Sequence, residues 1–132
     1  MSNGMIDPGL KSWVEVPANS DFPIQNIPFG VFRTESNPAP RLCTAIGDSV
    51  VDLSVLNYLS FFEELEIDQE VFNNAYLNDL MALGKEKTSA LRLRIAEVLA
   101  EGNTEAEKNA WHFLHPKDKV EMLLPVKVGD YT

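Results

Sequence analysis

Two histidines, His112 and His115, are the side chains whose spacing could hold a metal ion. On a helix, their separation of three residues would place both imidazoles on one face. Two ligands are too few for a zinc site, however, and no cysteine or carboxylate in register completes the set. We therefore expect the pair to lie at a helix C-terminus, where the helix dipole favours a cation, and we assign neither histidine as a ligand.

The single cysteine, Cys43, could act as a nucleophile, but it lies in the apolar run Arg41–Ile46. A thiol in such a run is typical of a buried structural cysteine. One cysteine cannot form an internal disulfide, which suits a reducing compartment. The sequence has no Gly-rich phosphate loop, nucleophile elbow or Cys/His constellation. It thus predicts no catalytic, cofactor-binding or metal-binding residue in this chain.

The net charge of −9 is concentrated in one segment. Eight acids and no Lys or Arg lie between Leu42 and Gly84: Asp48, Asp52, Glu63, Glu64, Glu66, Asp68, Glu70 and Asp79. Binding to nucleic acid requires clustered basic residues, so we exclude that partner. A cation or a basic protein is the alternative use of the segment, but it lacks the spacing of a calcium loop and is typical of a solvated face.

The elements that would position these residues begin with a β-meander between Asp21 and Leu53. Its strands are predicted at Phe29–Thr34, Arg41–Ile46 and Ser49–Leu53, where β-branched and apolar residues dominate. Gly47 and Asp48 form a two-residue hairpin signal, and the prolines of Ser36–Pro40 predict a longer loop. Upstream, Trp13–Val16 also has strand-like composition.

Helical patterns follow the meander. Ser54 is a predicted N-cap for a helix from Val55 to Leu65, and Asn73–Gly84 is predicted to be one short helix that ends at the glycine. Lys85–Glu101 is a longer helix, because apolar residues recur at helical spacing on one stripe: Leu91, Ile95, Val98 and Leu99.

A last helix is predicted from Thr104 to Leu114. Thr104 and Glu107 have the form of a capping box. The whole pattern is α+β. With 132 residues, of which 45% are hydrophobic, the chain is long enough for one globular core. Residues 1–10 are predicted to be a mobile leader. The absence of a signal-peptide core or an apolar membrane span predicts a soluble cytoplasmic protein.

Four motifs, in this order, resemble the N-terminal region of the fumarylacetoacetase family: SDFPIQNIPFGVF from Ser20 to Phe32, AIGDSVVDLSVL from Ala45 to Leu56, LNDLMALG from Leu77 to Gly84, and LLPVKVGDYT from Leu123 to Thr132. The resemblance runs from about residue 11 to the end of the chain. It implies a small SH3-like β-barrel decorated with short helices over residues 11–124. Residues 125–132 would then begin a junction to a larger catalytic domain. We expect this catalytic domain to be the partner of the N-terminal domain, and the complete enzyme to be a homodimer.

The resemblance also implies the chemistry of the complete enzyme. The family hydrolyses 4-fumarylacetoacetate to fumarate and acetoacetate in tyrosine and phenylalanine catabolism. A calcium or magnesium ion polarises the substrate, and a histidine activates water. In the family, the motif matched by Gly129, Asp130, Tyr131 and Thr132 leads directly into the metal-binding Asp and then to that histidine. Neither His112 nor His115 matches it, so no catalytic or metal residue is carried over.

The resemblance therefore predicts an N-terminal domain with a structural and regulatory role and no activity of its own. The alternative is a self-contained module whose exposed helices bind another protein. Reading the gene beyond codon 132 distinguishes the two, because only the enzyme would continue with Asp-Phe and a histidine.

Overall fold

The computed structural model describes residues 9–16, 24 and 27–123. In these residues, one antiparallel sheet has the strand order β4-β3-β2-β1-β5. Its strands are β1 (Phe29–Thr34), β2 (Arg41–Ile46), β3 (Ser49–Asp52), β4 (Leu114–Pro116) and β5 (Val120–Leu123). The helices are α1 (Leu53–Tyr58), α2 (Gln69–Phe72), α3 (Asn78–Met81), α4 (Lys85–Leu99), α5 (Thr104–Lys108) and α6 (Ala110–Phe113), with 3-10 turns at Glu63–Leu65 and Lys117–Lys119. The predicted α+β class is confirmed.

The meander forms as its turn chemistry predicts. Ile46 pairs with Ser49 across the hairpin, and Gly47 takes φ of 58°, which a residue without Cβ adopts at no steric cost. The longer loop is closed by Thr34 and Asn37, whose backbone N–H groups each donate to the other's carbonyl at 3.1 and 3.2 Å. The three predicted strands and both connections are thus confirmed, except that the third strand ends at Asp52 because Leu53 begins α1.

Both faces of the sheet are buried. Successive side chains of each strand point to opposite faces. Val31, Leu42 and Val51 lie on the outer face, within the large core beneath the helices. Phe32, Cys43 and Val50 form a separate buried cluster on the inner face, with Val120 packed against it.

The sheet curls around its inner face. The rings of Phe32 on β1 and His115 on β4 have centroids only 5.7 Å apart. Two strands separate β1 from β4, and in a flat sheet with a strand spacing of about 4.8 Å these residues would lie about 14 Å apart. Contact across that span therefore requires strong curvature.

The helices complete the outer core through α4. Its predicted stripe is confirmed, since Leu91, Ile95, Val98 and Leu99 are all at most 1% exposed. Burial of one such side chain contributes roughly 1.5–3 kcal/mol. The stripe therefore stabilises the position of α4 in the large core far more than helix propensity does.

The helix predicted from Val55 to Leu65 is wrong at both ends. Its N-cap is Asp52, whose side chain accepts from Val55 N, and Ser54 lies inside the first turn. The helix stops after Tyr58 in a Schellman motif: Phe61 N donates to Leu56 O and Ser60 N donates to Asn57 O, both at 3.0 Å. Ser60 takes the left-handed position with φ of 73°, where a glycine would have been the usual signal.

The predicted Asn73–Gly84 helix is also wrong, because only Asn78–Met81 is helical. The Asn74 side chain accepts from Tyr76 N at 3.0 Å. Such a local side-chain bond competes with helix formation. The Asn73 side chain instead joins Ser54 and Gln69 in a polar contact between α1 and α2, a helix that we did not predict.

Two further predictions need correction. Asn103 caps α5, accepting from Ala106 N at 3.0 Å, so the Thr104 capping box does not form. The helix predicted to reach Leu114 breaks into α5 and α6, and Leu114 begins β4.

The predicted Trp13–Val16 strand is replaced by one isolated bridge, Ser12 to Ala100. Trp13 donates its backbone N–H to Leu99 O at 3.2 Å and its indole N–H to Val98 O at 2.9 Å. This segment therefore satisfies the free carbonyl groups at the C-terminus of α4.

Some predictions lie outside the described residues. These include most of the leader over residues 1–10 and the junction over residues 125–132 with Gly129, Asp130, Tyr131 and Thr132. Among the helices that are described, none combines the length and apolar character needed to cross a membrane.

Candidate functional site

The two histidines do not share a helical face. His112 lies in the last turn of α6, is exposed, and stacks on the ring of Trp111 with centroids 3.7 Å apart. His115 lies in β4 and turns its ring to the inner face of the sheet. The expectation of a pair at a helix C-terminus is wrong for His115. The reason is visible in the sequence, because the residue before a proline avoids helical conformation and Pro116 follows.

The inner face also determines the chemistry of the thiol. Cys43 is 1% exposed, as expected for a structural cysteine. Burial raises the pKa of this thiol to about 12, with a further increase from Asp52 that Arg41 partly offsets. A thiol with such a pKa is almost wholly protonated at neutral pH, so Cys43 is a poor nucleophile.

The part of the acidic segment from Glu63 to Glu70 forms a solvated face, as predicted, whereas Asp52 is buried. All five acids there are exposed: Glu63, Glu64, Glu66, Asp68 and Glu70. Glu64 pairs with Arg94 at 3.4 Å and still remains exposed. Within residues 9–16, 24 and 27–123, no three His, Cys, Asp or Glu side chains are grouped so that they could hold a metal ion. The calcium or magnesium ion that the resemblance implies therefore does not fit the described residues.

A buried ion pair, which the sequence did not lead us to expect, occupies one end of the inner face. Arg41 is 7% exposed and Asp52 is 1% exposed. The guanidinium Nε donates to Asp52 Oδ2 at 2.7 Å. The same guanidinium lies over the Phe32 ring, 4.4 Å from its centroid, where the ring face attracts a cation.

Each partner of this pair also makes other bonds. Arg41 Nη1 donates to the carbonyl oxygens of Asn37 at 3.0 Å and Ala39 at 2.9 Å, and so closes the proline-containing loop. Asp52 Oδ1 accepts from Val55 N at 3.1 Å and caps α1. The pair therefore joins β2, β3, one loop and one helix. Both carboxylate oxygens of Asp52 accept hydrogen bonds from within the fold, so this ion pair suits a structural role.

The sequence did contain a signal for this pair. Arg41 is the one basic residue between Arg33 and Lys85. The Gly47–Asp48 hairpin pairs Cys43 with Asp52. Because side chains two residues apart share a face, the same register places Arg41 beside Asp52. We had counted Asp52 only as one member of the acidic segment.

Two aromatic side chains are exposed on adjoining helices. Tyr58 at the end of α1 is 78% exposed, and Trp111 on α6 is 77% exposed. Large exposed aromatic residues are enriched where proteins bind one another. These two are the described side chains best suited to contact a partner.

The fold and these contacts define a class: a small α+β domain built on a curled antiparallel sheet, whose buried ion pair serves the architecture. The sequence matches the family described as Fumarylacetoacetase N-terminal over residues 25–125. This chain belongs to that family.

Curated relatives agree with this match. Fumarylacetoacetase from Dictyostelium discoideum is 43% identical over 126 residues, which cover 93% of this chain and 30% of that protein. The Arabidopsis thaliana fumarylacetoacetase is 38% identical over 127 residues, covering 93% and 30%. The Homo sapiens protein of the same name is 37% identical over 127 residues, covering 92% and 30%. The chain therefore spans about 30% of the length of these relatives.

Proposed function

We propose that this chain is the N-terminal domain of an enzyme that hydrolyses 4-fumarylacetoacetate to fumarate and acetoacetate in tyrosine and phenylalanine catabolism. The observation that carries the proposal is the family match over residues 25–125, combined with the 30% share of each fumarylacetoacetase that the chain covers. The catalytic groups then belong to the remaining part of the enzyme. This domain supports that part structurally and regulates it.

The contacts on the inner face support a structural role. The Arg41–Asp52 pair has its hydrogen bonds satisfied within the fold, and Cys43 is buried and protonated. None of the three presents a free reactive group to solvent. In this proposal the curled five-stranded sheet is an SH3-like barrel, and its role is to hold the helices in the shape that the catalytic domain contacts.

The remaining features of the complete enzyme are proposed from the family resemblance. They are a calcium or magnesium ion in the catalytic domain, a homodimer, and a cytoplasmic location. The single cysteine is compatible with a reducing compartment.

Reading the coding sequence past codon 132 tests the proposal. We expect an open frame that continues with Asp-Phe and a histidine, and the encoded longer polypeptide should hydrolyse fumarylacetoacetate when calcium or magnesium is present. A stop codon at that position, or a longer polypeptide without turnover, would contradict the proposal.

The exposure of Tyr58 and Trp111 favours a second candidate, a self-contained protein-binding module. The two candidates differ in their response to Tyr58→Ser combined with Trp111→Ser. If these side chains contact the catalytic domain, the double variant should lower the thermal stability of the longer enzyme while leaving this chain alone as stable as before. If the module binds a separate protein, the stability of the longer polypeptide should not change.

A further inference from the structure

His115 occupies a position that differs from that of any other ionisable side chain described on the inner face. It lies in β4, a strand of three residues at the edge of the sheet, which pairs with β3 alone. Its imidazole contacts Phe32 on β1, so it spans the concave side between strands that the sheet itself does not pair. The Nε2 atom is buried and has no hydrogen-bond partner among the described residues.

Among the described residues, none of the charged groups around this imidazole is hydrogen-bonded to Nε2. From β2, Arg41 lies over the Phe32 ring that His115 also contacts. From β3, Asp52 has both oxygens engaged by Arg41 and Val55.

The carboxylates on the remaining strands and in the turn after β4 are paired with basic side chains or, like Asp118, exposed to solvent. On β1, Arg33 is paired with Glu121 of β5 at 3.0 Å. After β4, Lys117 is paired with Asp48 at 3.2 Å. From β2, Cys43 faces the same side with a protonated thiol.

A neutral imidazole therefore suits this position better than an imidazolium. Both ring nitrogens are donors once the ring is charged, so Nε2–H would become a buried donor without an acceptor. Burial lowers the pKa of His115; nearby Asp52 opposes this effect and Arg41 adds to it. A charged His115 would be better solvated outside the inner face of the sheet. Because His115 is part of the short β4 strand, β4 would move with it.

We propose that His115 is a pH-sensitive latch: neutral, it holds β4 across the concave face of the sheet against Phe32, and protonation releases β4. The folded-state pKa lies below the ordinary value of 6.5. The stabilising effect is therefore fully present above about pH 6.5 and is lost as pH falls towards the folded-state pKa. Within that window, the released fraction increases as the pH falls, by at most about tenfold for each pH unit.

His112 supplies an internal control, because it is the other histidine of the chain and is exposed. NMR titration of the His115 imidazole in the 132-residue chain should give a pKa below the ordinary value of 6.5. Amide hydrogen exchange at Leu114 and His115, corrected for the intrinsic rate, should accelerate from pH 7.5 to pH 5.0. Exchange in β2, at Leu42 to Thr44, should change much less.

Variants test the same latch independently. His115→Gln removes the titration, so the melting temperature of that variant should fall less between pH 7.5 and pH 5.0 than that of the original chain, whereas His112→Gln should behave as the original. A pKa of His115 at or above the ordinary value of 6.5 would overturn the proposal. β4 exchange that does not depend on pH after correction for the intrinsic rate would also overturn it. Neither the titration nor the exchange measurement requires a variant to fold.

Discussion

The buried ion pair makes a sharp prediction about stability. Asp52→Asn keeps a side-chain oxygen that can accept from Val55 N, but it removes the charge that faces Arg41. Breaking a buried pair by removing one partner typically costs 3–5 kcal/mol, because the other charge is left buried without compensation. Since a domain of this size is stable by roughly 5–15 kcal/mol, we expect a large shift of the urea midpoint.

Matched variants separate the contributions. Asp52→Ala also removes the cap of α1 and should cost about 1 kcal/mol more than Asp52→Asn. Asp48→Asn removes a charge that pairs with Lys117 at 3.2 Å, but both side chains are about two-thirds exposed. Exposed pairs contribute little, so that control should change the free energy of unfolding by less than about 1 kcal/mol.

A double-mutant cycle completes the test. Arg41→Met with Asp52→Asn removes both charges, and the double variant should be less destabilised than Asp52→Asn alone. Urea unfolding followed by circular dichroism gives each free energy. A loss below about 1 kcal/mol for Asp52→Asn, or a double variant whose loss equals the sum of the single losses, would refute the account of Arg41 and Asp52 as one coupled unit.

Two further predictions concern the cores on either side of the sheet. Ile95→Asp places a charge at a fully buried position of α4 and should lower the free energy of unfolding in urea by at least about 3 kcal/mol. The control Glu66→Gln, at an exposed position, should change it by less than about 0.5 kcal/mol. An unchanged midpoint for Ile95→Asp would place α4 outside the core. Cys43, whose pKa is raised to about 12, should resist a thiol reagent at pH 8 until denaturant is added, and rapid labelling of the folded chain would show that the inner face is open.

Local signals were sufficient for the parts of the fold where one short segment determines the outcome. The Gly47–Asp48 turn fixes the register of β2 and β3, and the helical spacing of apolar residues from Leu91 to Leu99 identifies the buried side of α4. In both places the local pattern and the tertiary contacts favour the same structure.

The predictions failed where a helix end depends on the backbone conformation of one residue, or where a side chain bonds to a distant segment. The end of α1 depends on Ser60 adopting a left-handed conformation, which its residue type does not announce. The Asn73 side chain is engaged by Ser54, 19 residues earlier, which no local pattern reveals. His115 is the exception, because Pro116 already indicated an extended residue there.

Under the proposed function, this chain folds into a domain of the enzyme without carrying its chemistry. The most direct test is to incubate the purified chain with fumarylacetoacetate and magnesium or calcium and to follow the loss of the substrate's absorbance. We expect the uncatalysed rate, because hydrolysis of this kind needs a metal, a base and an oxygen-stabilising environment acting together. Turnover that rises in proportion to the concentration of the chain, and that a chelator abolishes, would contradict it.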